Sequence, residues 1–149
     1  MKKLILFFYI VCSFNNLNAQ CEIDFEELLR NSVKNSSDFD TFVLNHNYTL
    51  DSASKTYFCD YNLQLPSAIK RYLEGSIMNV NYSTYSKTSY LEIKSTMQKM
   101  GFKYDGTQNA GNMVMYEYTA NNIWVRLALE TKDFHTNYIM IMKIDLSDK

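Results

Sequence analysis

Two histidines, three cysteines and scattered carboxylates are the side chains of this 149-residue chain best suited to metal binding or proton transfer. His46 and His135 fall in different expected elements, and Cys21 and Cys59 stand 38 residues apart, so the close pairs that zinc needs are missing. His46 reads as a helix-end residue, where a cation suits the macrodipole. His135 reads as a turn residue. The four glycines, at 75, 101, 106 and 111, frame no G-x-S-x-G elbow for a serine nucleophile. Gly106 to Gly111 has the spacing that opens a phosphate loop. Asn112-Met113 follow where lysine and a hydroxyl residue are required, so the phosphates would lack their charged contact. Cys59 could serve as a thiolate with His46 or His135 as its base, but a disulfide or a packed strand position explains it more simply.

Carboxylates offer no sharper signal. Asp105 to Gly111 alternates oxygen side chains as calcium loops do, yet it lacks the sixth-position glycine and has Tyr116 where the bidentate glutamate belongs. An ordinary polar hairpin loop accounts for it. Glu26-Glu27, Asp38 with Asp40, Asp60 and Glu117 could do acid–base work only if burial drove paired pKa values apart. Most fall in expected first turns of helices, where acids favour the dipole. No catalytic residue, metal site or cofactor is expected, and the chain reads as non-enzymatic.

The first twenty residues bear on location. Lys2 and Lys3 precede an uncharged, mostly apolar stretch from Leu4 to Phe14, and the polar run Asn15 to Gln20 follows. This is the layout of a secretory signal peptide over residues 1–20, cleaved after Ala19 or Gln20. The apolar stretch is shorter than the roughly 20 residues that span a bilayer, and no later stretch reaches that length. A lipoprotein is the competing reading, because Cys21 could begin a lipidated mature chain; Gln20, where a small residue is usual, argues against it. The expected product is one periplasmic or secreted domain, residues 21–149, with no transmembrane segment. Removing the leader takes two lysines and no acid, so the formal charge moves from −1 to −3. That balance provides no footprint for nucleic acid.

Cys12 leaves with the leader. In an oxidising compartment Cys21 and Cys59 then pair, or else remain as two thiols, one of them at a frayed terminus. The bridge would be worth roughly 3–4 kcal/mol by loop entropy.

Stepping along the chain, apolar spacing at Phe25, Leu28, Leu29 and Val33 predicts a helix over 22–34. Ser37 caps a second helix through Phe39, Phe42 and Val43, ended by a left-handed Asn47. Strands are expected at 48–51 and 55–62. The stretch 65–75 fits either a short helix after Pro66 or a hairpin turning at Glu74-Gly75. A strand over 76–85 precedes a helix with Ser89 and Glu92 at capping-box spacing, closed by Gly101. Phe102 to Asp105 begins a strand, 106–112 is a loop, and 113–119, 123–131 and 138–146 form an antiparallel meander with Asn121-Asn122 as a turn.

Asn47-Tyr48-Thr49-Leu50-Asp51 parallels Gly101-Phe102-Lys103-Tyr104-Asp105, and Cys59-Asp60-Tyr61 parallels Tyr116-Glu117-Tyr118. The expected fold is therefore α+β, with helices packed on one face of a mostly antiparallel sheet and room for two tandem helix–strand–strand units. The leader's Asn-Ala-Gln ending, the phrase Tyr82 to Lys87 and the run Lys99 to Lys103 resemble small secreted proteins of Bacteroidota. That resemblance implies location and nothing catalytic. The tandem order is also similar to β-lactamase-inhibitor-like and outer-membrane-assembly-lipoprotein-like folds, whose members mostly bind other proteins.

The remaining signal is aromatic. In 123–131, Val125, Leu127 and Leu129 fit a buried face, leaving Trp124 and Arg126 on the other. Tyr116 and Tyr118 lie on the neighbouring strand. Trp, Tyr and Arg are the residues of protein-binding hot spots, so Trp124, Arg126, Tyr116 and Tyr118 are the expected contacts for another protein of the envelope or exterior. The alternatives are a module for a small apolar ligand and, last, a hydrolase. The exported protein should begin at Gln20 or Cys21 and gain two hydrogens on reduction. Intact mass with and without reductant checks both, and an acyl mass on Cys21 would point to the lipoprotein instead.

Overall fold

Four two-residue turns, each opened by a residue with positive φ, organise the sheet. Gly75 (φ 59), Gly111 (φ 60), Asn121 (φ 51) and Asp133 (φ 54) each follow the last paired residue of a strand. Left-handed first positions suit tight hairpins, because their twist matches that of the flanking strands. The computed structural model describes residues 21–59 and 66–147. The expected leader, and the Asp60-Tyr61 part of the repeat comparison, lie outside the described residues.

The elements are α1 (Phe25–Ser32), α2 (Ser36–Asn45), β1 (Thr49–Asp51), β2 (Thr56–Cys59), β3 (Ser67–Glu74), β4 (Ile77–Thr84), α3 (Lys87–Lys99), β5 (Lys103–Ala110), β6 (Met113–Ala120), β7 (Ile123–Lys132) and β8 (His135–Asp145). The strands form one eight-stranded sheet in the order β1-β2-β3-β4-β8-β7-β6-β5, antiparallel at every pairing. The described residues are thus α+β, with a sheet that dominates three helices.

Each helix is capped by a residue just upstream of the one the sequence pattern favours, or starts later than expected. Asp24 accepts from the Glu27 amide at 3.0 Å and starts α1 at Phe25 rather than at 22. Asn35 replaces Ser37 as the cap of α2, accepting from Asp38 at 2.9 Å. Ser86 replaces Ser89, whose own amide it binds at 3.1 Å. Several residues nearby can cap; the end of the preceding strand or turn selects among them.

The two helix exits are built alike. Asn47 (φ 63) and Gly101 (φ 82) take the left-handed position. The Tyr48 amide then returns to the Val43 carbonyl at 3.2 Å, and the Phe102 amide to that of Met97 at 3.0 Å. These are 6→1 bonds of a Schellman end, with buried apolar partners at both positions. A four-strand meander follows each exit. The repeated topology is therefore helix plus four strands, longer than the helix–strand–strand unit expected, and β4 pairs with β8 to join the halves.

The stretch after Pro66 takes the hairpin alternative rather than the helix, one residue later than expected: β3 and β4 turn at Gly75-Ser76, with Ile69 fully buried. One segment departs from the sequence reading. Residues 106–110 are strand rather than loop, paired with β6 from Gly106↔Glu117 to Ala110↔Met113 after a bulge at Asp105. Gly, Gln and Asn are poor strand formers, but the β6 backbone provides a ladder that outweighs propensity at an exposed edge. Strand alternation also disperses the oxygens that a calcium loop would converge.

Register places Tyr57, Ile69, Arg71, Val80, Tyr82, Met140, Met142, Val125, Leu127, Tyr116 and Tyr118 on one side of the sheet. Contacts from α2 and α3 fall there. Phe39 of α2 meets Tyr57 edge-on, and Arg71 lies over the Phe39 ring at 4.8 Å while donating to the Lys34 carbonyl at 2.5 Å. On α3, Tyr90 packs on Tyr138 with ring centroids 4.9 Å apart, and Lys94 lies 5.1 Å over Tyr116. Phe25 of α1 meets Phe102 edge-on. Cys21 and Cys59 form the expected disulfide, with Cα atoms 5.8 Å apart, tying the segment before α1 to β2. Its Cys21 sulfur cannot also carry a lipid. The Tyr48 hydroxyl holds the same segment by donating to the Cys21 carbonyl at 2.8 Å.

Burial, reinforced by the Asp40 carboxylate that Tyr57 donates to, pushes the Tyr57 hydroxyl up to about 12. Burial chiefly, with Tyr116, Tyr118 and Tyr138 nearby, does the same for Tyr90, also to about 12. Both folded values lie above the free value of 10.0. The stability they contribute is therefore complete below pH 10 and lost as pH rises toward 12. Absorbance titration should show these tyrosines ionising late in the native protein and near 10 in denaturant, with the urea midpoint falling only above that pH.

Candidate binding face

The polar residues that could do chemistry are engaged in holding the fold. His46 sits at the end of α2, with Nδ1 2.9 Å from the Phe42 carbonyl and Nε2 3.4 Å from Glu27. His135 is the first residue of β8 rather than a turn residue. Cys59 is oxidised, so the thiolate reading is withdrawn. Glu26 faces Arg30 at 3.8 Å, Asp38 bonds Asn35 at 3.0 Å, and Asp40 accepts from Tyr57. Among the described residues no three His, Cys, Asp or Glu side chains cluster as a metal site.

The other side of the sheet presents a different set. Strand register sorts it into three central rows. The first runs Tyr72, Asn79, Lys143, Trp124, Thr119 and Lys103. The second runs Lys70, Asn81, Ile141, Arg126, Glu117 and Gly106, and the third Ala68, Ser83, Ile139, Ala128, Met115 and Gln108. Asn79 and Ala128 are buried; the others are half-buried or exposed. Half-buried Trp, Ile and Met on one flat surface form the kind of apolar patch that marks interaction sites.

Trp124 is fixed by cations. The Arg126 guanidinium lies 4.9 Å from the ring centroid and the Lys143 ammonium 5.5 Å. Arg126 is itself held by Glu117, with Nη2 and Nε both donating to Oε1, at 2.5 and 3.2 Å. Glu117 also accepts from Gln108 at 3.5 Å. This chain of contacts orients an amphipathic surface before any partner arrives, which lowers the ordering cost of binding. At one end of the face a groove of about 310 Å³ is lined by Trp124, Lys143, Ile77, Thr119, Glu74 and Asp145. Asp145 serves the turn there, accepting from the Ser147 amide at 2.9 Å and from Ser76 at 3.3 Å; the first of these bonds chiefly holds its carboxyl below the usual range.

The four expected contact residues do not share a surface. Trp124 and Arg126 lie together on this face. Tyr116 and Tyr118 point to the opposite side, Tyr116 under Lys94 and Tyr118 buried, so both are removed from the contact set. Alternation along β6 forces this: residues directly opposite across a ladder share a side, and Tyr116 opposes Leu127 while Glu117 opposes Arg126. Lys143, Ile139, Ile141 and Met115 belong to the face and went unremarked in the sequence. The signal was the unbroken apolar run 138–142, which no one-sided strand requires.

No family model matches the chain, and comparison with the curated proteins and the solved structures found no match. Replacing Glu117 with Ala should cost no more than about 1 kcal/mol in urea unfolding, as for a partly exposed pair. Released, Arg126 should leave the ring, moving the Trp124 indole resonance in a proton–nitrogen spectrum; an unmoved resonance would mean that Glu117 does not position it.

Proposed function

We propose that this protein is an exported, non-enzymatic binding module whose helices all cover one face of the sheet and whose other face engages another protein. The observation that carries this is the patch of half-buried Trp124, Ile141, Ile139 and Met115 across three neighbouring rows, its tryptophan preoriented by Arg126, Lys143 and Glu117, on the side opposite the α2 and α3 contacts with Tyr57, Tyr138 and Tyr116. Trp and Arg set among apolar side chains are what interface hot spots are made of. Export follows from the lysine-led apolar leader and agrees with the Cys21–Cys59 bridge, since such bridges persist in oxidising compartments. No helix among the described residues is long and apolar enough to cross a membrane. An inhibitor-like, immunity-like or envelope-accessory role suits this surface.

A small apolar ligand between helices and sheet is the weaker reading. The gap beneath α3, lined by Tyr82, Tyr90, Ile93, Leu127, Tyr138 and Met140, leaves no space for a water-sized sphere. Tyrosine side chains already fill it.

The mature protein, immobilised and exposed to native envelope extract, should retain a partner that Trp124→Ala and Arg126→Ala each lose. Tyr116→Phe, on the covered side, should retain it. Circular dichroism and an intact disulfide establish that the variants fold, and capture unchanged by both Trp124→Ala and Arg126→Ala would remove the face from consideration.

A further inference from the structure

Charge is unevenly divided on the sheet. The three central rows of the uncovered side carry Lys70, Lys103, Arg126 and Lys143 against a single carboxylate, Glu117. Glu117 is spent on Arg126. Among the described residues neither Lys70 nor Lys143 ion-pairs with a carboxylate, and the contact recorded for the Lys143 ammonium is the Trp124 ring. Acids on this side, Glu74, Asp145 and Glu130, sit toward the strand ends, where Glu74 and Asp145 line the groove beside Lys143 without pairing with it. The helices carry their own acids instead: Glu26 and Glu27 in the first turn of α1, and Asp38 in that of α2. A chain with formal charge −1 thus keeps a positive centre on its apolar face.

Resting on the binding reading above, we infer that the partner presents an acidic segment with interleaved apolar side chains, its carboxylates meeting Lys143 and Lys70 and its apolar groups covering Trp124, Ile139 and Ile141. Lysines on this surface repel a basic partner through like-charge contacts. An acidic surface gains both steering and specificity from the same residues. Lys143 also has a place to go: an incoming carboxylate draws its ammonium away from the indole, exposing apolar ring surface for contact.

The chain has one tryptophan, so its emission, excited selectively over tyrosine, reports on this site alone. The probes are a random copolymer of glutamate and tyrosine, its lysine–tyrosine counterpart, and polyglutamate. The glutamate–tyrosine copolymer should shift Trp124 emission saturably, and its affinity should weaken about tenfold on moving from roughly 50 to 300 mM salt, as screened charge contacts do. Polyglutamate should bind more weakly, lacking the apolar part. The double variant Lys70→Glu, Lys143→Glu should lose about tenfold or more for the acidic copolymer and gain affinity for the basic one. Equal or tighter binding of the lysine–tyrosine copolymer to the unaltered protein would overturn the acidic partner while leaving the face as a protein-binding surface. Silence of Trp124 toward the acidic copolymer would also overturn it, and the capture experiment decides the broader reading separately.

Discussion

The pairing of β4 with β8 is the constraint on which the rest of the molecule depends. Each half of the chain makes a four-stranded meander that would leave two edges and a half-covered apolar face. Eight residue pairs, from Ile77↔Asp145 to Thr84↔Tyr138, fuse the halves into one sheet. On the side that carries Ile69 and Leu127 this register stacks Met78 on Ile144, Val80 on Met142 and Tyr82 on Met140, all of them buried. Burial of each such side chain is worth about 1.5–3 kcal/mol. A slip of one residue would put Asn79, Asn81 and Lys143 into that layer, so the register is strongly specified.

That pairing also makes the uncovered face what it is. Lys143 meets Trp124 only because β8 lies between β4 and β7, and Lys70 joins the same rows only because β3 continues the sheet beyond β4. A surface drawn from six strands of both halves cannot assemble until the last strand docks. Sequence-distant contacts of this sort also slow folding relative to helical proteins. The Cys21–Cys59 bridge and the Arg71 contacts with Phe39 and Lys34 fasten the first two helices to β2 and β3, with Arg71 facing the side of the sheet opposite its neighbour Lys70.

Polar chemistry in this protein serves positioning. His46, Asp40, Asn35 and Ser86 terminate helices or pin them to strands, and their bonds are local or bridge neighbouring elements. Glu117 instead orients a cation, Arg126, on the side of the sheet that carries Trp124. The same residue type thus supports the fold on one side and a preorganised surface on the other. Register, not composition, separates the two uses.

The Asn121-Asn122 turn and the exits of α2 and α3 were legible in the chain, because their signals are local: Asn47, Gly101 and Asn121 take positive φ for reasons contained in their own backbones. The three-strand meander after residue 113 showed in its alternation, and the cysteine pairing in its arithmetic. Three things did not show. Residues 106–110 have loop composition and become strand because β6 offers a ladder. The choice of Asn35 and Ser86 as caps follows from where neighbouring elements stop. Tyr116 and Tyr118 looked like partners of Trp124, yet an odd–even offset across one ladder puts them on the other side. Taken alone, the sequence determined the helices, most strands and their turns, since each rests on residues within a few positions of one another. Only the tertiary structure decided which side each strand residue faces and which cations surround the tryptophan, since both depend on a pairing between segments some sixty residues apart.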